Sequence, residues 1–153
     1  VARPTHRLDL CVVPADPDRP VDPAAARALV AAWRAAPPAG ARAVRVDLPG
    51  EVSLYANQMG GFRVRCPETG DNLVPVFGGA VRVWRAGGER RLACPACGRE
   101  HALESLDYAP DAAFAMGGVV LADVRTASLD ADAQATAAAH LGGPVRVIGK
   151  RTN

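Results

Sequence analysis

Two stretches of this chain follow the same plan, and few folds can satisfy both. Leu8-Asp9-Leu10-Cys11-Val12-Val13 is a mostly apolar run that suits an internal strand. After a loop rich in Pro and Asp, Asp22 stands as an N-cap with Pro23 at the first helical position, where its missing N–H costs nothing. Ala26, Leu29, Val30 and Trp33 then recur at spacings of three and four, one apolar stripe, until Pro37-Pro38 and Gly40 stop the helix. Residues 42–48 alternate and give a second strand. The last third repeats the order: an apolar strand over 115–124, a helix over 132–140 capped by Asp130 or Ser128, a stop at Gly142-Gly143, and a final strand from Pro144.

Two β-α-β units sharing one sheet predict an α+β, ferredoxin-like arrangement with both helices on one face. The plainer alternative is two unrelated crossover units in a three-layer α/β sheet. A length of 153 residues suits one domain, divided here into a first half (1–50), an insertion (51–107) and a second half (108–153). The insertion has a different texture. Short alternating runs at 52–55, 62–65, 73–77, 80–85 and 90–93 are separated by Gly60-Gly61, Gly78-Gly79 and Gly87-Gly88, which predicts a β-meander of tight hairpins. So small a patch buries little apolar area and needs a staple.

Cysteines supply one. Cys94-Pro95-Ala96-Cys97-Gly98 has a two-residue gap that lets both thiolates face one ion, and Gly98 lets the backbone turn beneath them. Cys66-Pro67-Glu68-Thr69-Gly70 has the same outline. From about Phe62 to Leu106 the chain therefore resembles a zinc ribbon, two knuckles on adjacent hairpins. That resemblance implies a structural zinc and contacts with proteins or nucleic acids, and no enzyme. Thr69 departs from the pattern by standing where a second cysteine belongs. Cys66, Cys94 and Cys97 give three ligands, and His101 is the best fourth through Cys-x₂-Cys-x₃-His. Asp71 and Glu68 are the oxygen-donor alternatives, and Cys11 is a core thiol of the first strand.

Three other readings of the cysteines compete: a ribbon that has lost its metal, a catalytic zinc with Glu68 or His101 as base, and a redox pair. The last fits poorly, because too little chain follows Cys97 for the fold such pairs inhabit. His6 and His140 have no nucleophile beside them in sequence, and no phosphate loop or dinucleotide fingerprint is present.

A net charge of +2 excludes a strong general pull toward polyanions. The basic residues are 17 Arg and one Lys, a bias that looks like that of a GC-rich genome. Between Arg63 and Arg99, however, seven arginines face only Glu68, Asp71 and Glu89. Arg63, Arg65, Arg82 and Arg85 alternate along the expected meander and form its candidate binding face, where guanidinium groups can grip carboxylates or phosphates. Tyr55, Phe62 and Trp84 interleave with them, which keeps nucleic acid open as a partner. No apolar run approaches the roughly 20 residues of a membrane helix, and the first residues lack a signal-peptide stretch. The expectation is a cytoplasmic, non-catalytic zinc module that binds a protein, as an adaptor or an immunity protein does. Nucleic-acid binding is the alternative, and a small zinc-dependent hydrolase the third reading.

Overall fold

The computed structural model describes residues 7–57 and 61–152. In chain order these form β1 (Arg7–Pro14), α1 (Pro23–Ala35), β2 (Ala43–Asp47), β3 (Ser53–Ala56), β4 (Arg63–Arg65), α2 (Val74–Arg85), β5 (Arg91–Ala93), β6 (Glu100–Ala102), β7 (Asp107–Ala109), β8 (Ala112–Ala115), β9 (Gly118–Ala122), α3 (Ala131–Leu141) and β10 (Val145–Thr152). The fold is mixed α+β, with antiparallel sheets throughout. The chain divides into two units, one of Val1–Met59 with Ala112–Asn153 and one of Gly60–Asp111. None of the described helices is long and apolar enough to cross a membrane.

In the first unit the four long strands form one sheet in the order β10-β1-β9-β2. β1 is internal, which explains its mostly apolar run. Alternation sends Leu10 and Val12 to one face, where they join Val44, Val119 and Leu121. That face is covered by both long helices: Ala26, Leu29, Val30 and Trp33 of α1, and Ala133, Ala137 and Leu141 of α3. Each large side chain buried here contributes about 1.5–3 kcal/mol. Capping sets the helix limits. Asp22 accepts the Ala24 amide, Asp130 accepts the Ala133 amide, and Gly142 leaves α3 in the left-handed conformation.

Cys11 and Val13 point to the opposite face, where Val120 and Ile148 join them against Tyr55, Ala113 and Ala115. These last three belong to β3 and β8, which pair as a two-stranded ribbon from Ser53↔Ala115 to Ala56↔Ala112. The run at 52–55, expected to open the insertion, therefore belongs to the first unit. The strand expected over 115–124 is also two: β8 and β9 are divided by Met116-Gly117. Gly118 starts β9 so close to β1 that a Cβ there would lie 2.1 Å from the Val12 carbonyl oxygen.

The second unit corrects the meander. The two strands expected at 73–77 and 80–85, with a glycine turn between, are one helix, α2. Asn72 Oδ1 accepts the Val74 amide, and Pro75 sits in the first turn, where no N–H is needed. Phe77 and Val81, four residues apart, are its buried side chains. Alternating valines disguised this 3.6-residue pattern as strand; of these Val74, Val76 and Val83 end up exposed, Val83 at 60%. Arg82 and Arg85 consequently lie in the last helical turn, while Arg63 and Arg65 lie on β4, so the four do not alternate along strands. Their positive charge near the C-terminus of α2 complements its dipole. Phe62, Phe77 and Tyr108 pack ring on ring, with centroids 5.8–6.0 Å apart.

Candidate metal centre

Two turns of one shape build the centre. β4 runs out into Cys66, whose carbonyl accepts the Gly70 amide at 2.9 Å; β5 runs out into Cys94, whose carbonyl accepts the Gly98 amide at 3.0 Å. Gly70 and Gly98 both have φ +74°, a conformation other residues adopt only with strain. Each turn is tied at its base. The Cys66 amide donates to the Asp71 carbonyl and the Cys94 amide to the Arg99 carbonyl. Glu68 of one turn meets Arg99, which follows the other, at 2.9 Å.

His101 comes from β6, opposite Leu92 in the β5–β6 register. Its Nε2 lies 3.1 Å from Cys97 Sγ and 3.8 Å from Cys66 Sγ. The ligand atoms of Cys66, Cys94, Cys97 and His101 all lie within 4.8 Å of one another. A tetrahedral ion with bonds of about 2.3 Å to sulfur and about 2.0 Å to nitrogen keeps its ligands roughly 3.5–3.8 Å apart. Small adjustments separate the observed set from that one: the widest pairs draw in, and Cys97 Sγ and His101 Nε2, at 3.1 Å, move slightly apart. Cys66 and Cys94 are buried, Cys97 and His101 half-buried, and none of the four cysteines forms a disulfide.

The electrostatics suit a cation. A hydrogen bond from Thr69 brings the Cys66 thiol down to about 6, against the burial that opposes it. At Cys97 the Arg99 backbone favours the thiolate, but burial and the Cys94 and Cys66 sulfurs outweigh it and push the thiol up to about 11. Without an ion, then, Cys66 loses its proton easily and Cys97 does not. A bound dication reverses this, because its charge deprotonates coordinating thiols outright. The Cys97 amide also points at Cys94 Sγ, 3.5 Å away.

The oxygen-donor alternatives lie outside the cluster. Glu68 is engaged by Arg99, and Asp71 contributes backbone atoms to the first turn. Thr69, which stands where a second cysteine belongs, takes part through the Cys66 sulfur instead; a hydroxyl at the missing-cysteine position was the signal for that role. Cys11 stays apart in the core of the first unit, where burial raises its thiol to about 11. His140 contacts the Thr136 carbonyl oxygen through Nδ1 in the last turn of α3, and His6 lies outside the described residues.

The arginines of the second unit divide into two groups. Arg90 pairs with Glu104, Arg91 with Glu100 and Arg99 with Glu68. Arg63, Arg65, Arg82 and Arg85 are exposed and have no carboxylate partner among the described residues. The aromatic residues expected beside them are dispersed. Phe62 stacks on Tyr108, Tyr55 lies in the first unit with its hydroxyl on Asp47, and Trp84 is half-buried on α2. Comparison with protein-family models, curated proteins and solved structures found no match.

Proposed function

We propose that the chain is a small zinc-binding module, built on a ferredoxin-like unit, that works by holding a protein partner rather than by catalysis. The observation that carries the zinc reading is the closure of one hydrogen-bonded cluster by three sulfurs and one imidazole nitrogen within 4.8 Å. Soft thiolate donors with one imidazole favour zinc over magnesium or calcium. Four protein ligands complete a tetrahedron and leave no position for water or substrate, which supports a structural ion over a hydrolytic one. Structural zinc contributes apparent binding free energies of about 10–16 kcal/mol, enough to hold a unit whose paired strands are three residues long. The ferredoxin-like reading draws its support from the strand order β10-β1-β9-β2 with α1 and α3 on one face.

The four unpaired arginines support the partner reading. Three neighbouring arginines already have their glutamates, so the unpaired set is free to meet carboxylates of another protein. Purified protein should carry close to one zinc per chain, and cobalt in its place should show the strong visible bands of a tetrahedral thiolate site. Absence of both after metal loading would overturn the zinc reading. For the partner, Arg82→Glu with Arg85→Glu should abolish capture from host lysate with zinc content unchanged, and equal recovery would move the interface elsewhere. Submicromolar binding of single-stranded nucleic acid that falls steeply with salt would favour the nucleic-acid alternative.

A further inference from the structure

The first unit carries a cleft whose lining includes none of the candidate metal ligands. The β3–β8 ribbon covers only part of the sheet face that bears Cys11, and beside Tyr55 a cleft of about 400 Å³ opens onto β1, β2, β9 and β10. Cys11 and Val120 lie on the sheet beneath it, and Tyr55 stands at the ribbon side. Five charged side chains line it: Arg7, Asp9, Arg45, Asp47 and Lys150.

The two acids are already committed. Asp9 is buried, at 5% exposure; its Oδ1 accepts the Asp123 amide at 2.8 Å, and its Oδ2 lies 3.6 Å from Arg7. Asp123 is in the left-handed region, with φ +51°, so the Asp9 carboxylate serves a turn the fold requires. Asp47 accepts the Tyr55 hydroxyl at 2.6 Å. The two remaining cations are uncommitted. Lys150 is directly opposite Asp9 in the β1–β10 register, yet its ammonium forms no ion pair among the described residues. The Arg45 guanidinium forms no ion pair or side-chain hydrogen bond among the described residues. With Arg7 and Asp9 neutralising each other, Arg45 and Lys150 leave the cleft positive despite Asp47.

Their placement sets the size of a ligand. Arg45 is on β2 and Lys150 on β10, the two edges of the sheet, separated by three strand spacings of about 4.8 Å. Long side chains from both edges border one cavity whose volume suits a small organic molecule. We propose that this cleft binds a small polyanion, of the phosphate-ester or di- and tricarboxylate class, held between Arg45 and Lys150 over the Cys11–Val120 floor. Guanidinium and ammonium groups both bind such anions, the first bidentately and the second as a point charge. Cys11 takes no covalent part, since burial keeps it a neutral thiol.

The test is an amide NMR titration of the intact, metal-loaded chain with inorganic pyrophosphate and, separately, with citrate, at constant ionic strength. Saturable shifts confined to Asp9–Cys11, Arg45–Asp47 and Gly149–Arg151 are expected for at least one probe. Both cations are exposed, so Arg45→Gln and Lys150→Gln should leave the unliganded spectrum native and weaken binding at least tenfold each. Arg82→Gln in the second unit should bind as the parent does. A response to pyrophosphate alone would assign the phosphate class, and one to citrate alone the carboxylate class. No saturable shift with either probe, or undiminished binding by both Gln variants, would overturn the proposal.

Discussion

Thr69 and Cys97 occupy equivalent places in two turns that share one backbone shape, each followed by a glycine at φ +74° that donates its amide to the cysteine carbonyl opening the turn. One turn thus offers two sulfurs and the other a sulfur with a hydroxyl bonded to it, and His101 supplies the missing donor. His101→Ala should weaken metal binding at least tenfold in competition with a chromogenic chelator. Adding Thr69→Cys to that variant should restore most of the loss. Thr69→Val keeps the shape but removes the hydrogen bond to sulfur, and should cost about 10–100-fold, as loss of a ligand's supporting partner does.

Metal removal should act on one unit. Chelation, or Cys97→Ser, takes away the tie between β4 and the β5–β6 pair, whereas the α1–α3 face of the first unit does not involve the ion. Hydrogen exchange should show protection lost across 61–111 and retained in β1, α1 and α3. A single collapse of both units would contradict this.

Gly78 and Gly79 test the helical reading of α2. A Cβ at either position meets nothing within 4 Å, and neither has a positive φ. Replacing each with Ala should therefore raise stability by about 0.5–1 kcal/mol, the usual gain in a helix interior. Had they formed a hairpin turn, the same changes would destabilise. Thermal or denaturant midpoints of the metal-loaded protein decide between the two.

Where local rules acted alone, the sequence was a sound guide. Asp22-Pro23 and Asp130 capped the helices expected of them, and the stripe from Ala26 to Trp33 became the buried side of α1. The three cysteines and His101 were legible because ligand chemistry tolerates few residue types and few spacings. The insertion was not. Val74, Val76, Val81 and Val83 carry a period of two that competes with the period of Phe77 and Val81, and the Gly pair between them favours neither. Packing of Phe77 against Phe62 and Tyr108 adds to the Asn72 hydrogen bond and Pro75 in favouring helix, and that packing is a long-range contact. The cleft near Tyr55 was hidden for the same reason, since its cations come from β2 and β10, about a hundred residues apart in sequence.

Alkaline pH should find Tyr55. Burial, and then the hydrogen bond to Asp47, raise its phenol well above the ordinary 10.0. The folded state thus holds a proton that the unfolded chain releases near pH 10, so the contribution is complete below that pH and declines as pH rises further. Tyr55→Phe should lower stability by about 1.5–3 kcal/mol near neutrality, the range for a hydrogen bond to a charged group. The gap between parent and variant should narrow above pH 10 in thermal melts.

The pairing of Ala56 with Ala112 has a consequence for the chain's history as well as its folding. Paired residues in an antiparallel ladder have Cα atoms about 4.5–5.5 Å apart, so everything between them departs from and returns to one point. To the first unit, the whole stretch with the candidate metal centre is a single loop, and closing a long loop costs only slightly more than closing a short one. Exchanging 57–111 for a tight turn would leave β3 and β8 an ordinary hairpin. The second unit is in that sense a portable cassette: its cluster can be gained, lost or rebuilt without renegotiating the sheet that carries it.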